Sequence, residues 1–280
     1  MAFRSNGPIS LVFPPFRGVT RRILLTALAA YFGLAVLGLV SRELEGTVST
    51  LMILRPDQAL HPLIWELLTY PFMGQGLLSV AFALLSLWFF ASALEDERGQ
   101  LWMGEYFLAA TVGGAVIASV LSMIAQGHVP GLGAGTAAAG LWPAVLAVLV
   151  AYGRIHAEEP VRFNFIFTLK AKYLAIIYVL LYVGMALVSG DRFGALVALC
   201  NALAGFVFLQ IAPRRGFRVG VAQRWFALRN AYYRAKRRRA AKKFKVYMRK
   251  RGEDVRVDDE GRYVDPNGKP RDPNDKGWMN

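Results

Sequence analysis

The sequence has few of the residues that build disulfides and metal sites: it contains one cysteine and three histidines. A single cysteine excludes an intrachain disulfide framework, and Cys200 lies in an apolar run, where a thiol serves as a small packing residue. No group of His, Cys or acidic residues has metal-ligand spacing, and no glycine-rich phosphate loop or paired-carboxylate site is present. The sequence therefore predicts no metal ion and no other cofactor.

Charged residues are scarce along most of the first 212 residues, where several apolar runs reach the roughly 18 residues that cross a bilayer as a helix. Backbone groups in lipid must satisfy their own hydrogen bonds, so these runs should all be helical. The sequence predicts an all-α membrane protein embedded in the lipid bilayer, with six spans at about 23–41, 77–94, 104–126, 136–152, 171–190 and 193–211.

The distribution of Lys and Arg between the connecting segments predicts the orientation. Basic residues are concentrated in alternate segments, including the one that precedes the first span and the one that follows the last. Both termini are therefore expected in the cytoplasm, and the expected location is a bacterial inner (plasma) membrane. The acidic stretch LEDERG, residues 94–99, falls on the same side and fits this pattern poorly.

Acidic residues are absent between Arg214 and Arg251, a segment that contains 16 Lys and Arg. Val221, Trp225, Leu228 and Tyr232 follow helical spacing within it, which predicts a basic amphipathic helix over 213–251. Anionic lipid headgroups are the expected partner, and a ribosome, another RNA or a protein are the alternatives. The residues expected to contact lipid or another polyanion are Arg224, Trp225, Arg229, Arg234, Lys236, Arg237, Arg238, Arg239, Lys242 and Lys243.

Three stretches of the apolar region resemble one known family. They are WELLTYPFMGQGLLSVAFALLSLWFFASALEDERG (65–99), GAGTAAAGL (133–141) and CNALAGF (200–206). Together they resemble the rhomboid intramembrane proteases, and the resemblance covers about residues 20–212. It implies a rhomboid-like bundle of six transmembrane helices. The expected organisation is a cytoplasmic segment (1–22), the membrane domain (23–212), the basic helix (213–251) and a polar, mostly disordered tail (252–280).

The resemblance also implies where a catalytic site would lie. The family uses a serine nucleophile, a histidine base, and a histidine and asparagine that hold the oxyanion. The matching positions here hold Gly135 for the nucleophile, Ala202 for the base, and Ser79 and Ala83 for the oxyanion pair. A hydroxyl nucleophile needs an adjacent base and preplaced donors, so the resemblance implies an inactive member.

Three polar residues remain as candidates for the cleft that the resemblance implies: Ser79, Thr136 and Asn201. Thr136 is interpreted as a hydroxyl that caps the start of a helix, the alternative being a displaced nucleophile. Asn201 either contacts a bound protein or pairs with Ser79 or Thr136, because an intramembrane amide is costly unless it is paired.

Three functions remain open from the sequence. The first is a pseudoprotease that binds transmembrane segments of client membrane proteins and affects their assembly, folding or turnover. The second is an intramembrane serine-type endopeptidase with a rearranged site. The third is a membrane-anchored adaptor that acts through its basic tail.

Overall fold

The structure is a computed structural model that describes residues 14–58, 63–74, 76–163, 167–188, 190–212, 225–226, 229–236, 238–239 and 249–250. The chain divides into two compact units, Met1–Phe217 and Arg218–Asn280. The helices described in the first unit are α1 (Gly18–Val40), α2 (Arg42–Met52), α3 (Glu66–Thr69), α4 (Leu77–Arg98), α5 (Gln100–Ile124), α6 (Trp142–Ile155), α7 (Ala171–Val188) and α8 (Arg192–Ile211). A 3-10 turn, Tyr70–Phe72, follows α3.

Five of the described helices, α1, α4, α5, α7 and α8, are long and apolar enough to cross a membrane. The protein is therefore a mostly helical, multi-pass membrane protein. The expected fourth span, 136–152, is not found at that position. Its place is taken by α6, which has 14 residues and starts at Trp142. The preceding loop holds Gly133, Gly135 and Gly140 at positive φ, a backbone conformation that no α-helix contains, so the helix cannot begin earlier.

A short antiparallel hairpin joins α6 to α7 and departs from the all-helical expectation. Its strands are β1 (Pro160–Phe163) and β2 (Phe167–Lys170), with Val161 opposite Leu169. At the base of this hairpin, Glu158 pairs with Lys172 and lies 2.7 Å from Lys170 Nζ. The two ammonium groups lower the pKa of Glu158 to about 2.

The centre of the bundle is α6, in which nine of 14 residues are buried. It packs against α4, α5, α7 and α8. Helices α5 and α8 approach closely at Gly114, which has no side chain: a Cβ there would lie 2.5 Å from Asn201 Cα. By contrast, α1 and α7 are peripheral, because only 17% of the apolar 18-residue stretch of each helix is buried inside the bundle.

The acidic residues at the end of α4 are all engaged at one end of the bundle. Glu95 accepts hydrogen bonds from the backbone N–H groups of Val19 and Thr20, both at 2.8 Å, and so caps the first turn of α1. Asp96 pairs with Arg17 at 2.9 Å. These bonds explain the acidic stretch that fits the charge pattern poorly, since its carboxylates satisfy a helix start and a basic neighbour.

The start and the end of the described part of the first unit, near residues 17 and 212, lie at that same end of the bundle. Arg17 meets Asp96 at the end of α4, while Trp102, at the start of α5, donates from Nε1 to the Ala212 carbonyl at 2.9 Å. Only three residues separate the end of α4 from Trp102, so residues 17 and 212 approach the same end of the bundle.

The basic helix expected over 213–251 is not confirmed as a whole. The described parts, 225–226, 229–236, 238–239 and 249–250, have helical backbone. The rest of that segment, and the tail expected over 252–280, lie outside the described residues.

Candidate functional site

A cavity of about 380 Å³ lies between α4 and α7. From α4 it is lined by Ser79, Val80 and Ala83, and from α7 by Tyr182 and Met185. The other residues that line it are Ala27, Ile53, Pro71, Phe72, Gly74, Ala137, Ala138, Ala139, Gly140, Leu141, Trp142, Pro143, Asp191, Gly194 and Ala195. The two walls stay apart because α6 packs against both α4 and α7, while within the described residues α4 and α7 make at most marginal contact.

Two chain segments join to cover one end of the cavity. Leu54 and Ala138 exchange both backbone hydrogen bonds at 2.9 Å, as in an isolated antiparallel bridge. Gly140 N–H donates to the Tyr70 carbonyl at 2.8 Å. The loop that follows α2 is thereby fastened to the segment that leads into α6.

Tyr70 and Asn201 fix this cover to the core. Both residues are fully buried, and the Asn201 amide meets the Tyr70 hydroxyl at 2.8 Å. When the Asn201 amide is oriented with Oδ1 accepting from this hydroxyl, its Nδ2 donates to the carbonyls of Val197 and Ala110 at 3.2 and 3.3 Å. Buried polar groups are costly unless paired, and this arrangement satisfies the amide at both ends. Burial also raises the pKa of Tyr70 above that of an exposed tyrosine.

A buried carboxylate holds the same loop from within. Glu66 is fully buried and accepts a hydrogen bond from Arg55 N–H at 3.0 Å. The Arg55 guanidinium lies 3.8 Å from the other carboxylate oxygen and donates to the Thr50 carbonyl at 2.9 Å. Burial raises the pKa of Glu66, against the opposing effect of Arg55.

Ser79 and Ala83 are the only two of the six sequence-predicted cleft and catalytic positions that line the cavity. Ser79 is exposed, and its hydroxyl accepts a hydrogen bond from Trp142 Nε1 at 2.9 Å. Ala83 is buried within the wall that α4 forms.

Gly135 and Thr136 lie in the loop before α6 and do not start a helix. The Thr136 hydroxyl donates to the Gly133 carbonyl at 2.8 Å, closing a local turn. The prediction that Thr136 caps a helix is wrong, because α6 begins six residues later, after Leu141. The glycines with positive φ set this separation.

Ala202 and Asn201 lie on α8, away from the cavity lining. Ala202 packs with Leu146 and Ala198 in a small apolar cluster. The sequence left open whether Asn201 contacts a bound protein or pairs within the bundle. It pairs within the bundle, but its partner is Tyr70 and neither Ser79 nor Thr136. No local pattern indicates Tyr70 as this partner, because the two residues are 131 positions apart in the sequence.

Part of the expected lipid-contacting face is described in the second unit. Trp225 and Tyr232 are 64% and 65% exposed, and the Arg229 guanidinium lies over the Phe226 ring at 4.9 Å. Among the predicted basic contacts, five are described and all five are exposed: Arg229, Arg234, Lys236, Arg238 and Arg239. The residues that lie outside the described parts are Val221, Arg224, Leu228, Arg237, Lys242 and Lys243.

Comparison with known proteins assigns the family. The family model described as "Eukaryotic integral membrane protein (DUF1751)" matches residues 22–226, which includes all the long apolar helices except the first residues of α1. A search of curated proteins found no match. The rhomboid assignment made from resemblance is wrong, since the matching model is not a rhomboid one, and the expected bacterial inner membrane is wrong because this family is eukaryotic. The chain belongs to the DUF1751 family of eukaryotic integral membrane proteins.

Proposed function

We propose that the protein binds the membrane-spanning segment of another membrane protein in the cavity between α4 and α7. Binding there would affect the assembly, folding or turnover of that client without cleaving it. The observation that carries this proposal is the cavity itself, whose walls come from two helices that α6 keeps apart.

The lining of the cavity favours a helix as its occupant. Small residues, among them Ala83, Ala195 and Gly140, form much of the wall. In membranes, helices associate mainly through close packing, and small residues allow the backbones to approach. Apolar side chains next to lining residues in the sequence are exposed, with Leu78 of α4 at 73% and Leu181 of α7 at 56%, so both helices also offer apolar surface to a bound helix.

The polar groups of the cavity favour binding over hydrolysis. The Ser79 hydroxyl receives a hydrogen bond from the Trp142 indole, which can only donate and cannot serve as a base. Neither described histidine lines the cavity: His128 follows α5, and His156 follows α6 and lies 3.1 Å from Glu97. A hydroxyl nucleophile would thus have no histidine base among the described residues.

We also propose that α6 makes a sixth crossing and that both termini face the cytoplasm. At one end of α6, Trp142 bonds Ser79 near the start of α4, and at the other end His156 meets Glu97 near the end of α4. At about 1.5 Å per residue, α6 covers about 21 Å against about 27 Å for that part of α4. The long side chains at both ends make up the difference. The Lys and Arg distribution then places residues 17 and 212 on the cytoplasmic side.

A second proposal concerns the basic segment, which we place on the anionic surface of the membrane. The exposed Trp225 and Tyr232 lie among basic residues, a composition typical of interfacial helices. A peptide of residues 216–251 should bind anionic vesicles, shift Trp225 fluorescence to the blue and bind less as salt rises. A peptide that ignores anionic vesicles and binds RNA tightly at physiological salt would replace lipid with a nucleic-acid partner.

Photocrosslinking in reconstituted vesicles tests the cavity proposal. A photoreactive residue at Ser79 or Met185 lies in the cavity lining, and one at Leu108 of α5 is exposed outside it and serves as the matched control. With a defined panel of single-span peptides, we expect adducts from both cavity positions and not from the control. Equal adduct yields from all three positions would mean that the cavity binds no client.

A further inference from the structure

We infer that the cavity selects membrane-spanning segments that carry a lysine or arginine at the level of Asp191. This inference rests on the proposed function and names the chemistry of the client. Its basis is the charge of the cavity wall: Asp191 is the one charged residue among the residues that line it, as far as the structure describes them.

The Asp191 carboxylate lies where a bound segment would meet it. Asp191 precedes α8, and Gly194 and Ala195 of the first turn of α8 line the same cavity. One carboxylate oxygen accepts from Gly194 N–H at 2.9 Å and caps the helix. The cap uses one oxygen, and a carboxylate has further acceptor positions.

No basic side chain pairs with Asp191 among the described residues. The adjacent Arg192 donates from Nη1 to the Pro130 carbonyl. The remaining lining is composed of apolar residues, glycines and the neutral Ser79 and Tyr182. The carboxylate is thus a single negative charge at the edge of an otherwise neutral and mostly apolar cavity.

A client with a cation at this level would satisfy that charge. In a medium less polar than water, opposite charges attract more strongly than they do in bulk solvent. A lysine or arginine near the end of a membrane-spanning segment has a side chain long enough to reach a carboxylate at the interface. An acidic residue at the same position would be repelled, so the carboxylate discriminates by charge in addition to shape.

The helix cap makes a clean test possible. Asparagine and serine cap helices about as well as aspartate, so Asp191→Asn and Asp191→Ser keep a cap for Gly194 and remove the charge. Both variants should therefore fold, which thermal denaturation in detergent checks.

The test uses full-length protein in neutral-lipid vesicles and two labelled single-span peptides. The peptides share one apolar sequence and carry either Lys or Gln at the level of Asp191. We expect wild type to bind the Lys peptide about fivefold more tightly, the range of an exposed to half-buried ion pair. In Asp191→Asn and Asp191→Ser the two affinities should become equal.

Each outcome decides between the two proposals. Equal binding of the two peptides by wild type overturns the charge selection and leaves the client cavity standing. A preference that survives in both variants also overturns it, because the charge would then come from elsewhere. Binding of neither peptide overturns the client cavity, and the charge selection with it.

Discussion

Tyr70 and Asn201 are 131 residues apart in the sequence, and their side chains meet at 2.8 Å in the core. Tyr70 belongs to the loop that covers the cavity, and Asn201 belongs to α8, which packs closely on α5. One hydrogen bond thus links the loop that covers the cavity to the closely packed pair of helices α5 and α8.

Replacing Tyr70 with Phe should lower the free energy of unfolding by about 1–3 kcal/mol, because it leaves the buried Oδ1 of Asn201 without a donor. Thermal denaturation in detergent micelles measures the loss. Tyr152→Phe is the matched control, since its hydroxyl bonds Glu159 at an exposed position and should cost less. Equal losses in the two variants would show that the buried bond has no special weight.

Two adjacent glycines of α5 should differ sharply when changed to Ala. A Cβ at Gly114 would lie 2.5 Å from Asn201 Cα and 2.6 Å from Asn201 N, so α5 and α8 would have to separate. A Cβ at Gly113 would meet only Ala204 Cβ at 3.6 Å, an ordinary contact. We expect Gly114→Ala to cost on the order of 3 kcal/mol and Gly113→Ala to be neutral or slightly stabilising. Similar melting temperatures for both variants would contradict the close approach of these helices.

Glu66 should make stability depend on pH. Burial raises its pKa above 4.5 in the folded protein, so its contribution to stability is fully present below that value. The contribution is lost as pH rises through the folded pKa. Glu66→Gln does not titrate, and its amide oxygen can still accept from Arg55 N–H. We therefore expect the stability of wild type to fall relative to Glu66→Gln as pH rises from about 4.5 towards neutrality. Thermal denaturation at several pH values measures this. If the difference in melting temperature between wild type and Glu66→Gln stayed constant over this pH range, the raised pKa of Glu66 would be contradicted.

The sixth crossing predicts that the two ends of α6 face opposite sides of the membrane. Cysteines introduced at His128 and Glu158 report these ends, and the native Cys200 is buried, so it should not react. A membrane-impermeant maleimide applied to sealed vesicles should label only one of the two positions. Labelling of both positions from the same side would show that α6 does not cross.

The long spans could be predicted from the sequence because apolar runs in lipid have no alternative to helix. The start of α6 could not, since composition does not show that Gly133, Gly135 and Gly140 adopt positive φ. Glu95 bonds Val19 and Thr20 in the first turn of α1, which precede it by 76 and 75 positions in the sequence, and no local pattern indicates this pairing. The same holds for Tyr70 with Asn201. Residue type predicted that Asn201 needs a partner, whereas only the packing of α5 on α8 determines which one.

Binding of a single-span peptide to protein with a blocked cavity is the most direct test of the client site. Met185→Trp places a larger side chain in the cavity lining, and Leu180→Trp places the same side chain on α7 at an exposed position outside that lining. Energy transfer between a labelled peptide and labelled protein in vesicles gives the affinity of each variant. We expect Met185→Trp to weaken binding about tenfold, corresponding to about 1.4 kcal/mol, and Leu180→Trp to match wild type. Equal affinities for the two variants would contradict a client site between α4 and α7.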